Sequence, residues 1–216
     1  MLKKIILLVT LVCILSSGLC VAENIFDVAQ YTTPFGFTLD EFNASFEFIY
    51  NLTGEGNISL SSPVPVADGF SCVTCTSDAL NPVYILIDSN QIVYGLASEY
   101  SVEIGKDVDY SQIYSTSVQF GSTIGQIMIA PFVADYGSID DAFANEFNNF
   151  YEELQPAIAA ITEHLSNTSD LLTGFVEHIP LRNNVCTLRG NTDINILTSS
   201  GSFNMTCIYA PVAINF

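Results

Sequence analysis

Positive charge is what this sequence has least of. Five lysines and arginines stand against 23 aspartates and glutamates in 216 residues. Two of the five, Lys3 and Lys4, lie in a segment that reads as removable, which leaves Lys106, Arg182 and Arg189 and a formal charge of −20 on the rest. The phosphates of nucleic acid would meet a repelling field, so nucleic acid is excluded as a partner. The chain also lacks common signatures of catalysis, nucleotide binding and metal binding: G-x-S-x-G, P-loop, H-E-x-x-H and EF-hand patterns are all absent. No fixed-period repeat, charge block or Pro/Gly/Ser-rich linker divides it. Its early apolar run, Ile5 to Leu15, is eleven residues long and too short to be preferred as a membrane span.

That run follows a basic start, Met1 to Lys4, and precedes small residues, the three parts of a secretory signal peptide. Cleavage after Gly18 or after Ala22 fits the small-residue rule. Cleavage after Ala22 leaves an even set of cysteines, Cys72, Cys75, Cys186 and Cys207, and is preferred. Leu19 stands where a lipoprotein signal needs a small residue, which argues against lipidation. The expectation is a signal peptide over residues 1–22 and a single secreted or cell-surface domain over 23–216, with no membrane span after signal removal. An acidic surface there suits salty or acidic surroundings. Five N-x-S/T sequons, at Asn43, Asn51, Asn57, Asn167 and Asn204, are candidate glycosylation sites.

Thr38 and Glu41 form a capping-box signature, and Leu39, Phe42, Phe46, Ile49 and Tyr50 then recur at helical spacing until Gly54. "NISLSSPVPV" (57–66) alternates as an edge strand does, with Pro63 and Pro65 limiting its pairing. "PVYILIDSNQIVYGL" (82–96) predicts a tight hairpin turning at Ser89 and Asn90, with Ile87 opposite Ile92, Leu86 opposite Val93 and Ile85 opposite Tyr94. Ile85, Ile87, Ile92 and Tyr94 would line one face, and Tyr84, Leu86 and Val93 the other. With both faces apolar, the hairpin belongs in mid-sheet, covered on both sides or cupped around a ligand on one.

"IYSTSVQF" (113–120) and "IGQIMIAPF" (124–132) read as further strands, the second ended by Pro131. Ser138 and Asp141 then open the strongest helical pattern: Ile139, Phe143, Phe147, Phe150, Leu154, Ile158, Ile161 and Leu165. Pro156 inside it predicts a kink near Glu152 or a break into two helices. "DLLTGFVEHI" (170–179) reads as a third helix ending at Pro180. "CTLRG", "DINILTS" and "SFNMTCIYA" form a three-stranded meander with turns at Gly190 and Ser200-Gly201. The fold class is therefore α+β: a central antiparallel sheet, covered by an N-terminal helix and a long Pro-kinked helix, with a C-terminal β-meander.

Candidate chemistry is sparse. Cys72 and Cys75 have dithiol spacing, but a thioredoxin-type site needs its first cysteine at a helix N-terminus, and neither flank supplies one. Zinc is disfavoured because the long gap to Cys186 matches no compact ligand spacing. A bridge within C-x-x-C is strained, and the meander places Cys186 and Cys207 on its two outer strands. Cys72 and Cys75 are therefore expected to bond to Cys186 and Cys207, in either pairing. His164 and His178 have no second histidine at metal spacing. Asp107 and Asp109, and the group Asp135, Asp140 and Asp141, have the oxygen chemistry for calcium; capping turns and helix starts is the plainer reading. No nucleophile, base and orienting group assemble, so neither enzyme activity nor a cofactor is expected.

"YILIDSNQIVYGLASEYSVEIGKDVDYSQIY" (84–114) resembles the central sheet of extracytoplasmic Cache domains, the PAS-like sensor modules of bacterial and archaeal surface proteins. Ile87-Asp88-Ser89-Asn90 matches the family's turn, Ile104-Gly105-Lys106-Asp107-Val108 its following segment, and "IAPFVADYG" (129–137) its later pocket strand. Gln91 replaces the usual turn glycine, and the loop lacks the arginine that often grips a ligand carboxylate. The resemblance covers roughly residues 82 to 137 and implies a PAS-like sheet whose loop closes over a ligand. Tyr94, Asp107, Asp109, Tyr110 and Tyr114 are then the candidate binding residues, for a small neutral or cationic ligand, with calcium as a second candidate. Two functions follow: a secreted or surface-held, non-catalytic ligand-binding module, or an acidic, glycosylated structural or adhesion protein. Protein partners are not legible. A filled apolar core beside the hairpin would favour the second.

Overall fold

The computed structural model of the chain describes residues 25–53, 57–67, 69–104, 110–136, 141–166, 173–195 and 200–216. The expected signal segment, Asp107, Asp109, Asp140 and Asn167 lie outside them, as do the side chains of Tyr110, Tyr114, Asp141 and His164.

The first helix, α1 (Leu39–Thr53), begins where the capping box predicts. The Thr38 amide donates to Glu41 Oε2 at 2.7 Å, and the Glu41 amide donates back to Thr38 Oγ1 at 3.3 Å. Leu39, Phe42, Phe46, Ile49 and Tyr50, the residues spaced for one face, are all buried. Full burial of Phe42 and Phe46 contributes about 1.5–3 kcal/mol each.

Among the described residues, eight strands make one antiparallel sheet: β1 (Ile58–Leu60), β2 (Val64–Ala67), β3 (Phe70–Ser77), β4 (Val83–Asp88), β5 (Val93–Ile104), β6 (Phe175–Leu181), β7 (Asn184–Asn195) and β8 (Ser200–Ala210). The strand order is β1-β3-β4-β5-β8-β7-β6, with β2 also paired to β3. The proline-bearing stretch 58–67 is an edge, as expected, split into β1 and β2. After β5 the chain leaves the sheet through two helices, α2 (Tyr110–Tyr136) and α3 (Asp141–Ser166). It re-enters at the far edge and returns as the β6-β7-β8 meander, which closes against β5.

The sheet is covered on both faces. Val73, Ile85, Ile87, Leu96, Leu188 and Met205 point into the core beneath the helices. Leu86, Ala97 and Ile208 point to the outer face, under Ile25, Phe26, Tyr31 and Ile214 from the two ends of the described chain. Those ends are tied together: Gln30 Nε2 donates to the Asn215 carbonyl at 2.8 Å, and the Asn215 amide donates to Gln30 Oε1.

Several expectations are corrected. Residues 113–120 and 124–132, read as strands, are helical within α2. Their β-branched composition suits a strand, but Phe120, Thr123, Ile124, Ile127, Met128 and Pro131 fall three or four apart and are buried, which is a helix face. That face covers β5: Phe120 stacks on Tyr100 at 5.5 Å, and Thr123 Oγ1 accepts from the Asn81 amide at 3.0 Å. The long helix α3 passes through Pro156 without breaking. It buries Phe143, Phe150, Leu154 and Ile161 against α2 and β6, whereas Ile158 is exposed. The expected third helix ending at Pro180 is instead β6, whose residues 175–181 alternate in burial and whose edge position tolerates Pro180.

The hairpin register also differs. Ile87 pairs with Val93, Leu86 with Gly95 and Ile85 with Leu96, with a bulge that leaves Tyr94 unpaired. Asp88 Oδ1 accepts from the Asn90 and Ile92 amides at 2.8 and 2.9 Å, and Gln91 takes φ 62°, so the loop is two residues longer than the expected turn. Finally, the meander has one strand fewer between the cysteines than expected. Gly190 lies inside continuous β7, so Cys186 and Cys207 sit on adjacent strands.

Candidate functional site

Both faces of the hairpin are covered. One face is packed beneath the helices and the other beneath the N-terminal segment. The bulge moves Tyr94 to the outer face, opposite Ile85 and Ile87, where its ring meets Phe70 edge-on at 5.0 Å. Of the other expected binding residues, Asp107 and Asp109 lie outside the described residues, and of Tyr110 and Tyr114 only the helical backbone is described.

A cleft of about 550 Å³ opens elsewhere, where the ends of α2 and α3 meet the turn between β6 and β7. Thr33, Pro34 and Phe35 form one wall, Phe132, Asp135 and Tyr136 of α2 a second, and Glu146 and Phe150 of α3 a third. Leu181 to Asn184, Tyr209 and Pro211 close it. This volume suits a small molecule.

Arg182 organises the cleft. It holds the turn at φ 57°, a left-handed conformation that an arginine adopts only when its surroundings enforce it. Its Nε donates to Glu153 Oε2 at 2.7 Å, and its Nη2 to Glu153 Oε1 at 3.2 Å and to Glu146 Oε1 at 2.8 Å. The guanidinium carbon lies 5.3 Å from both the Phe132 and Phe150 ring centres, and those rings stack at 4.5 Å. The hydrogen bond to Glu153 holds Arg182 above its ordinary pKa and Glu153 below its own. The one arginine therefore already has two carboxylates.

Asp135 has no such partner. It makes no hydrogen bond or ion pair among the described residues, and burial pushes its carboxyl above the usual range. Its charge reaches the buried Tyr209 hydroxyl, which accepts from Asn184 Nδ2 at 3.1 Å and whose ring tilts against Phe35 at 5.7 Å. Burial is the main reason that Tyr209 is held well above its ordinary pKa. The cleft thus carries net negative charge inside aromatic walls. Among the described residues lining it, none is serine, cysteine or histidine.

Sequence reasoning named Asp135 only within a calcium group. The described residues contain no cluster of three His, Cys, Asp or Glu placed to hold a metal ion. It missed the cleft itself. The available signal was Arg182, one of three cations after residue 22, set in "LRNN" between two strand-like runs.

The remaining candidates separate. Cys72 and Cys75 are buried thiols on opposite faces of β3, pushed by burial to about 11 and about 12. Three strand spacings separate Cys75 from Cys207, through Val83 and Ser98. That is about 14 Å, beyond disulfide reach, so the expected bonds to Cys186 and Cys207 are not brought together. His178 Nδ1 meets Thr187 Oγ1 at 3.1 Å on the edge strand. Asn51 and Asn57 are exposed, while Asn43 donates to Glu47 within α1, and Asn204 bonds Ser101 and Ser202 within the sheet. No helix among the described residues is long and apolar enough to cross a membrane.

Compared with protein-family models, with curated proteins and with solved structures, the chain matches none.

Proposed function

We propose that the chain is an exported, non-catalytic binding module whose cleft beside Arg182 takes a small organic cation. The observation that carries this reading is Asp135, an unmatched carboxylate among aromatic rings in a cleft whose arginine is already paired. An anion would meet Asp135 and Glu146, with no unpaired positive charge among the described residues lining the cleft to receive it. An ammonium group would meet a carboxylate and the faces of Tyr136, Phe132 or Phe35, each cation to ring contact adding about 0.5–2 kcal/mol. The chain's overall negative charge draws cations toward the cleft.

Thermal denaturation with a panel of primary and quaternary amines, and matched carboxylates as controls, tests this. At a hundredfold excess over Kd, a bound amine stabilises by about 2.7 kcal/mol. Asp135→Asn should abolish the response. Lowering the pH should weaken it, because protonated Asp135 no longer attracts a cation.

The second reading, an acidic and glycosylated structural or adhesion protein of the cell surface, is favoured by the filled apolar faces of the hairpin. It is preferred if no amine shifts the wild type, or if Asp135→Asn responds equally.

A further inference from the structure

The four cysteines of the described residues divide into one pair and two solitary thiols. Cys186 and Cys207 lie diagonally across β7 and β8: Cys186 is opposite Tyr209, and Cys207 is opposite Leu188. Both belong to the core beneath the helices, both are fully buried, and their sulfurs are 3.6 Å apart. Cys72 and Cys75 have no comparable arrangement. An odd spacing along a strand sends them to opposite faces, and two or three intervening strands separate β3 from β8 and β7.

We infer that Cys186 and Cys207 form a disulfide when the chain folds under oxidising conditions, while Cys72 and Cys75 remain thiols. Disulfide sulfurs lie about 2.05 Å apart, so the two sulfurs must close by about 1.5 Å from their present 3.6 Å. The oxidant is a small-molecule or protein disulfide. One cysteine thiolate attacks it, forming a mixed disulfide and releasing one thiolate. The second cysteine thiolate attacks the first cysteine's sulfur and releases the other, so the two cysteine protons leave with the two reduced thiols. The hydrogen bond with the Cys186 thiol, together with full burial, holds the Cys207 thiol well above its ordinary pKa within the folded core. The exchange therefore belongs to the open chain, before the helices cover β7 and β8. The finished bond lies where no soluble reductant reaches it, and ties the long returning strands together.

The exported chain, beginning at Glu23, refolded from denaturant in mixed reduced and oxidised glutathione, then alkylated in denaturant and digested with trypsin, tests the pairing. Cleavage after Arg182 and Arg189 separates the two cysteines onto peptides 183–189 and 190–216. The expected product is these two peptides joined, lighter by two hydrogens than their sum, with the alkyl label on Cys72 and Cys75. Cys72→Ser with Cys75→Ser should keep the link, and Cys186→Ser should lose it and leave Cys207 labelled. Alkylation of both Cys186 and Cys207 after oxidative refolding, or a link from either to Cys72 or Cys75, overturns the inference.

Discussion

The ring of Phe175 packs over Gly190 across the β6–β7 pair, filling the space where a side chain at 190 would stand. The glycine is therefore a seat for an aromatic ring inside a strand, not a turn. Gly190→Ala should displace Phe175 and destabilise the protein by about 1–3 kcal/mol, as overpacking does. Urea unfolding followed by circular dichroism, suited to a chain without tryptophan, measures it. An unchanged midpoint would refute the packing account.

Phe150 carries more of the helix layer than Phe147. It is buried and stacked on Phe132 at 4.5 Å, whereas Phe147 is half-buried. Phe150→Ala should cost about 3–5 kcal/mol, and Phe147→Ala clearly less. Equal losses in the same unfolding experiment would mean that α3 seats differently.

Gln91 occupies the hairpin position at φ 62°, where a side chain is disfavoured. Gln91→Gly relieves that conformation but adds freedom to the unfolded chain, so a net gain of about 0.5–1 kcal/mol is expected. A loss of stability would show that the Gln91 side chain contributes contacts of its own.

The pH dependence at Asp135 has a definite sign. Burial raises its folded pKa, so the folded state holds the proton more tightly than the unfolded chain does. The stability this confers is fully present below the ordinary carboxylate pKa and is lost as the pH rises through the raised value. Without ligand, Asp135→Asn should melt with the wild type at acid pH and slightly above it at neutral pH. Melting temperatures across that range check this; a variant weaker at neutral pH would mean that the charged carboxylate has a stabilising partner.

Local signals were legible where one short stretch contains all the parties. The capping box of Thr38 and Glu41, the buried stripe of α1, the edge character of 58–67 and the α+β class follow from spacing and side-chain chemistry alone. Only the tertiary structure decided the rest. It turned the strand-like stretch 113–132 into a helix because β5 needed a cover, and it ran β7 through Gly190 because Phe175, fifteen residues earlier, fills the gap. It also brought Phe35, Asp135, Arg182 and Tyr209 to one cleft. Their spacing in the chain encodes none of this, because the contacts that select each outcome come from segments far apart in sequence.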